Sequence, residues 1–233
     1  MEFETILYEV EDHVATITLN RPEQLNVVSS MMVGELRRAY ATAETDESVS
    51  TMVVTGAGQA FCAGADVTEV AIESRVVCEE PYLSTYPQWE APSEAAHPFR
   101  SVTKPIVTAV NGLCCGAGLD LITTSDITIA SDRAEFLEPH VSVGLVAGSE
   151  VIRLSRVLPL NLARWIGLTG RHERLSARQA CALGLVWEVV EHDRLAERAR
   201  AIAIERGTEL SRGGRCPSTG CRAVSVAGQG RDG

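Results

Sequence analysis

The sequence predicts an α/β fold, in which strands and helices alternate along most of the chain. Short apolar runs typical of strands occur at residues 51–55, 105–110 and 126–130. Segments with helical spacing of apolar residues lie between and after these runs, and Gly/Ala-rich turns follow the first two. The 233 residues, 45% of them hydrophobic, suffice for one domain with a sizeable core.

The first part of the chain predicts a hairpin and a helix. Apolar and polar residues alternate at 6–10 and 14–19 around a short polar turn, as expected for two paired strands. Ser29 or Ser30 is a suitable N-cap, and a helix is predicted from there to about Thr45.

The second half of the chain is predicted to be mostly helical. A short strand is predicted at 185–190. One helix is predicted to follow the second turn and to end at about Thr124, and further helices are predicted at 148–157, 160–168, 176–183 and 193–205.

Two stretches do not follow this alternation. Residues 71–103 are rich in proline and too long for an ordinary connection, so they form either a lid over a ligand or a surface insertion. From 206 to 233 glycine and arginine dominate, and we expect an irregular or disordered tail after a domain at 1–205. A natural tail is possible, but a shifted reading frame that truncated or replaced C-terminal helices is the favoured interpretation.

Charge and composition limit the classes of partner. The net charge of −10 disfavours nucleic acid and anionic membrane surfaces. No apolar run approaches the roughly 20 residues of a membrane span, and the acidic N-terminus is unlike a signal peptide. We therefore expect a cytoplasmic protein, whose seven scattered cysteines are reduced and mostly structural.

The most informative features are the two Gly/Ala-rich turns, at 61–66 and 111–120. Small residues allow a ligand to approach the backbone, and the N–H groups at the start of a helix point outward. Two such turns facing each other could each donate one N–H to a developing oxyanion. This arrangement favours acyl chemistry over phosphate binding.

The order of these and other motifs resembles the enoyl-CoA hydratase/isomerase (crotonase) superfamily from about Met1 to about Ile204. The motifs are Leu19-Asn20-Arg21-Pro22, Asn26, the turn at 61–66, Lys104-Pro105, Ala109–Gly112, Gly116–Asp120, Ser125-Asp126 and Ala130. The resemblance implies a spiral of repeated ββα units, assembly as homotrimers or hexamers, and acyl-CoA thioester substrates. It implies no metal, and no cofactor beyond the coenzyme A of the substrate.

The resemblance also implies roles for individual residues. The N–H groups of Ala65 and Ala117 would form the oxyanion hole for the thioester oxygen. The residues implied to bind the substrate are Asp66, Val67, Thr68, Asn26, Val27 and Gly116.

Hydratases of this family use two glutamates, and this chain has Asp120 and His140 at those positions. Both types can transfer protons, the histidine with an ordinary pKa near 6.5. Structural alternatives exist: Asp120 could cap or pair within its helix, and His140 could be a satisfied core histidine.

Two further glutamates lie close to these positions in the sequence. Glu138 could be a substitute carboxylate or a solvated or salt-bridged side chain. Glu150 is expected in the first turn of the next helix, where its charge favours the dipole, rather than in catalysis.

The sequence therefore predicts an acyl-CoA enzyme, first of all an enoyl-CoA hydratase. An isomerase, hydrolase or decarboxylase of the same fold is the alternative reaction. A catalytically weak acyl-CoA-binding protein is the alternative class.

Overall fold

The computed structural model describes residues 2–66 and 102–213, without the side chains of 149 and 208–213. Most of the proposed lid and residues 214–233 therefore lie outside the described residues. The strands are β1 Ile6–Glu11, β2 Val14–Leu19, β3 Thr51–Gly56, β4 Ala60–Cys62, β5 Ile106–Val110, β6 Leu113–Cys115, β7 Ile127–Ser131, β8 Glu135–Leu137, β9 Leu175–Ser176 and β10 Glu188–Val190. The α-helices are α1 Ser30–Thr45, α2 Ala117–Thr124, α3 Ser149–Val157, α4 Leu160–Thr169, α5 Ala177–Ala182 and α6 Leu195–Gly213.

The larger sheet has six strands in the order β1-β2-β3-β5-β7-β10. The hairpin β1–β2 is antiparallel, with Ile6 opposite Leu19, and the remaining neighbours are parallel. The hairpin and the alternation of strands with helices are as predicted. Helix α1 begins after Ser29, whose hydroxyl accepts from the N–H of Met32 as an N-cap.

The smaller sheet has the order β4-β6-β8-β9, with β4, β6 and β8 parallel. Each of these three strands directly follows a strand of the larger sheet, and the pairs β3–β4, β5–β6 and β7–β8 lie side by side in both sheets. The chain thus advances as a spiral of repeated strand pairs, which confirms the predicted architecture. The sequence interpretation placed only turns at β4 and β6, because strands of three residues are too short to show a period.

A cluster of apolar side chains joins α6 to one face of the larger sheet. Leu195, Ala199 and Ile202 recur with helical spacing and pack with Val53 and Val107. The hydroxyl of Thr51 also donates to the carbonyl of Ala203 at 2.7 Å. The last helix is therefore part of the domain.

The irregular tail predicted from composition to begin at residue 206 begins with the last turns of a helix. Helix α6 continues to Gly213, so residues 206–213 are helical rather than irregular. A helix that is already packed can propagate through polar residues, because each added residue contributes one hydrogen bond without new nucleation. Within the described ranges, no helix is long and apolar enough to cross a membrane.

The turn between β5 and β6 packs directly on the turn between β3 and β4. The amide of Asn111 donates to the carbonyls of Gly58 and Ala60, and its oxygen accepts from the N–H of Gly56. A methyl group built on Gly112 would lie 2.0 Å from the carbonyl oxygen of Gln59. Only glycine allows the two turns to stack this closely.

We expect Gly112→Ala to lower the free energy of unfolding by about 1–3 kcal/mol, because the methyl group meets backbone that cannot rotate away. Gly34→Ala is the control, since a methyl group there meets nothing within 4 Å on helix α1. That control should gain about 0.5–1 kcal/mol. Urea unfolding followed by circular dichroism measures both, and equal stability of the two variants would contradict the stacking.

Candidate active site

The first turn is held by the segment before α1. The N–H of Val28 donates to the carbonyl of Gly64 at 2.8 Å, and the N–H of Asp66 donates to the carbonyl of Val28 at 2.9 Å. In such a parallel bridge the N–H of the middle residue, Ala65, points away from its partner strand. The Ala65 N–H therefore faces away from Val28.

Asn26 stabilises this segment from inside. Its side chain is fully buried, and its oxygen accepts from the N–H of Arg21 at 2.8 Å. Its amide nitrogen donates to the carbonyls of Ala57 and Ala60 at 2.9 and 2.8 Å. All the polar atoms of its side chain are thus engaged with backbone, and the expectation that the segment around Asn26 lies along the substrate stays a prediction.

The second turn ends at Gly116, which adopts φ 51° and ψ −117° and precedes helix α2. Ala117 is the first residue of that helix, and we find no acceptor for its N–H among the described residues. A methyl group built on Gly116 would lie 3.3 Å from the Cα of Gly64 and 3.7 Å from the Cε1 of His140. The two predicted turns and His140 thus meet at one glycine.

Asp120 lies in the first turn of α2 and pairs with Arg153 of α3, with 2.6 Å between Oδ1 and Nη1. Burial raises the pKa of Asp120 to about 6, against the opposing charge of Arg153; the charges of Glu150 and Glu138 add to the rise. Asp120 therefore forms an ion pair, but with a residue of another helix and not within its own helix as the structural alternative had it; its catalytic role stays a prediction. The carboxyl of Asp120 therefore titrates near pH 6 even though it is paired with Arg153.

Glu138 and His140 form the second polar pair of the site. Oε1 of Glu138 contacts Nδ1 of His140 and also accepts from the backbone N–H of His140 at 3.0 Å. The hydrogen bond to Glu138 raises the pKa of His140; burial opposes the rise, and the charges of Glu138, Glu150 and Asp120 add to it. Glu138 is completely buried, so the solvated alternative for this residue is wrong. The histidine side chain keeps about 22% of its surface exposed, so it is not a core residue.

Glu150 lies in the first turn of α3, as expected, and also faces the site. One ligand atom each of Glu138, His140 and Glu150 lies within 4.8 Å of the others. Carboxylate and imidazole groups at such distances could hold a divalent cation. Among residues 2–66 and 102–213, no other group of three such side chains has the spacing of a metal site.

Three further residues predicted to bind substrate are Asp66, Val67 and Thr68. Asp66 is mostly buried and lies 3.4 Å from Nη1 of Arg21, which also donates to the carbonyl of Val27. Val67 and Thr68 lie outside the described residues.

The cysteines near the two turns are unsuited to nucleophilic catalysis. Cys62, Cys114 and Cys115 are buried and free. Burial raises the pKa of Cys62 and of Cys115 to about 12, and that of Cys114 well above its ordinary value. A thiol that stays protonated is a poor nucleophile, so these residues fill space as predicted.

Comparison with known proteins agrees with this geometry. The sequence model of the enoyl-CoA hydratase/isomerase family matches residues 9–211. The chain belongs to the enoyl-CoA hydratase/isomerase family. It is 39% identical over 203 residues to mevalonyl-coenzyme A hydratase of Aspergillus fumigatus, covering 86% of this chain and 70% of that protein.

Other family members extend the comparison. The chain is 34% identical over 211 residues to 1,2-epoxyphenylacetyl-CoA isomerase of Escherichia coli, with 90% of this chain and 78% of that protein covered. The crystal structure of an enoyl-CoA hydratase/isomerase from Mycobacterium paratuberculosis superposes with a TM-score of 0.78 at 59% identity. That match covers 87% of this chain and 76% of the other.

Arg153 lies in the candidate site, paired with Asp120, but was not predicted from the sequence. It follows Glu150 by three residues, so both lie on one face of α3. That acidic–basic spacing was the available signal. Because it is equally typical of a solvated helix face, it did not indicate a site.

We expect Arg153→Gln to raise the pKa of Asp120 above its value of about 6, because the positive charge that opposes burial is removed. Carbon-13 NMR titration of the labelled aspartate carboxyls measures this value. Arg198→Gln, which removes an arginine paired with Glu188 on the surface, is the matched control and should leave it unchanged. A fall in the Asp120 pKa would show that the pair does not form.

Proposed function

We propose that this protein is an enoyl-CoA hydratase, which adds water across the double bond of a 2-enoyl-CoA. The observation that carries the proposal is the meeting of Gly64, Gly116 and His140, which puts two backbone turns beside one proton-transferring side chain. In this proposal the N–H groups of Ala65 and Ala117 donate to the thioester oxygen.

Two N–H donors at that oxygen would favour the enolate form of the thioester, and so the addition of water at the β carbon. One such donor contributes roughly 2.7–4 kcal/mol to transition-state stabilisation in other enzymes. The contributions of two donors acting together are not additive. Because the donors are backbone groups, alanine at 117 serves as well as glycine.

The raised pKa values of Asp120 and His140 indicate which group would accept a proton and which would donate one. Near neutral pH Asp120, with a pKa of about 6, is mostly ionised, whereas the raised pKa of His140 favours its protonated form. Asp120 would take a proton from water as hydroxide joins the β carbon, and His140 would give its proton to the α carbon. Exchange with solvent then restores both groups, so no cofactor is needed.

Binding of the coenzyme A moiety is proposed for the surface around Val27, Asp66 and Gly116, together with Val67 and Thr68. Asn26 would act there only by holding the backbone of its segment, as its hydrogen bonds to Ala57 and Ala60 indicate.

Isomerisation of the double bond is the second candidate. The ion pair with Arg153 engages the carboxylate of Asp120, which leaves His140 as the group free to carry a proton in this candidate reaction. A shift of a double bond requires one group to remove and return a proton, which His140 alone could do. One relative is named 1,2-epoxyphenylacetyl-CoA isomerase, so an isomerase of a coenzyme A ester is among the similar proteins.

We infer that the protein assembles as a homotrimer or a dimer of trimers. The support is a set of exposed apolar side chains near α3 and α4, among them Val146, Trp165 and Leu168. Large exposed apolar groups close together are typical of surfaces that contact another subunit.

We expect Ala117→Pro to lower kcat with crotonyl-CoA by about 10²-fold or more, because it removes one proposed donor. Proline is tolerated at the first position of a helix, so α2 should persist. Ala117→Gly keeps the N–H and is the matched control, which should stay close to the original activity. Equal activity of the two variants would exclude this N–H as a donor, provided that circular dichroism shows both folded.

We expect a bell-shaped pH profile of kcat/KM with crotonyl-CoA. Activity should rise through about pH 6 as Asp120 ionises and fall above pH 6.5 as His140 loses its proton. Asp120→Asn should remove the acidic limb and His140→Gln the alkaline limb. The loss of absorbance of the conjugated thioester measures hydration, and 3-enoyl-CoA in the same assay tests isomerisation.

Each outcome of that assay is informative. Full hydration activity in both variants would overturn the site residues. Binding of acyl-CoA without turnover in the unaltered protein would favour the catalytically weak binding protein. Release of free coenzyme A would favour a hydrolase.

A further inference from the structure

We propose that Glu138 is a positioning residue, which holds the Nδ1–H of His140 so that Nε2 exchanges protons with the substrate. This inference rests on the proposed function, since it concerns the group that gives a proton to the α carbon. It replaces the pair of carboxylates expected for a family hydratase with Asp120 and a carboxylate–imidazole pair.

The first argument is the geometry of the turn that carries both residues. Glu138 follows β8 directly, and Pro139 then adopts φ −87° and ψ −7° before a 3-10 helix at His140–Val143. Proline restricts φ, so the turn is stiff. The Glu138 carboxylate folds back, accepts from the backbone N–H of His140 and contacts the ring Nδ1 of the same residue.

The second argument is the burial of the carboxylate. Glu138 has no exposed surface, and its Oε2 has no hydrogen-bond partner among the described residues. A buried carboxylate is stable only where it is paired. His140 is its pairing partner, so the ring has one preferred orientation and one preferred tautomer.

The third argument is where the ring points. With Nδ1 directed at Glu138, the Cε1 edge lies against Gly116, and Nε2 is bonded to that carbon. Gly116 is the residue of the second turn that approaches Gly64 of the first turn. The imidazole therefore lies beside the proposed oxyanion site, with Cε1, the carbon bonded to Nε2, on the side of Gly116.

The charged groups around the ring come from three elements. Asp120 approaches from α2, Glu150 and Arg153 from α3, and Glu138 from the end of β8. Of the three carboxylates, Glu138 is the one that bonds the ring. Glu150 therefore provides a comparison in which a similar negative charge is removed without loss of that hydrogen bond.

Nitrogen-15 NMR of histidine-labelled protein tests the pair without any substrate. His140→Gln identifies the signals of His140 among the five histidines. In the neutral ring we expect the proton on Nδ1, with Nε2 unprotonated. A ring protonated at Nε2 in the unaltered protein would overturn the proposal, and this measurement does not depend on the stability of a Glu138 variant.

Glu138→Gln should keep the shape of the site while removing the charge. We expect the alkaline limb of the pH profile to move down by about one pH unit or more, and kcat to fall by about 10²-fold with little change in KM. Glu150→Gln should move the limb less. Equal shifts in the two variants would mean that Glu138 acts only as a distant charge, and would contradict the proposal.

The same spectra separate this proposal from the other outcomes. If the unaltered protein turns over no enoyl-CoA but Glu138→Gln still lowers the His140 pKa, the pair exists and the proposed function has failed. If Zn²⁺ at equimolar concentration displaces the Nδ1 proton and EDTA restores it, the group with Glu150 is a cation site and the positioning role is wrong.

Discussion

The carbonyl of Ala60 accepts hydrogen bonds from two buried asparagines, Asn26 at 2.8 Å and Asn111 at 3.2 Å. These residues come from separate loops, one before α1 and one between β5 and β6. Both amides are otherwise engaged with backbone, so neither can rotate without leaving a buried polar group unpaired. This junction fixes how successive strand pairs stack, and the rest of the site depends on it. Strand β4 leads from it to Ala65, and β6 leads from it to Gly116.

The two halves of the site differ in what they require of the sequence. Oxyanion donors are backbone N–H groups, which need only the correct backbone path and small residues. Proton transfer needs side chains of defined acidity, which depend on neighbours from several elements. Asp120 owes its raised pKa mainly to burial, and His140 owes its own mainly to Glu138. The proposed backbone half therefore tolerates changes of side chain, whereas the proposed proton-transferring half depends on the particular residues around it.

Helix α6 illustrates how packing overrides composition. Residues after 205 contain much glycine and arginine, which predicts an irregular segment. Yet the apolar stripe of α6 is anchored on the larger sheet through Leu195, Ala199 and Ile202, and the helix continues to Gly213. Local composition describes what a segment would do alone, and it says nothing of the stabilisation that an anchored helix provides to its next turn.

The α/β alternation, the hairpin and the two small-residue turns could be predicted from the sequence, and the family resemblance named Asp120 and His140 as candidate catalytic residues. Each of these features depends on residue types within a short, contiguous stretch of the chain. Three contacts became visible only in the folded protein. Arg153 pairs with Asp120, and the side chain of Asn26 bonds the backbone near the first turn. The buried carboxylate of Glu138 bonds His140. The smaller sheet also emerged only there, because its short strands carry no period. These features depend on which distant segments pack together, and packing is set by the whole core rather than by local spacing.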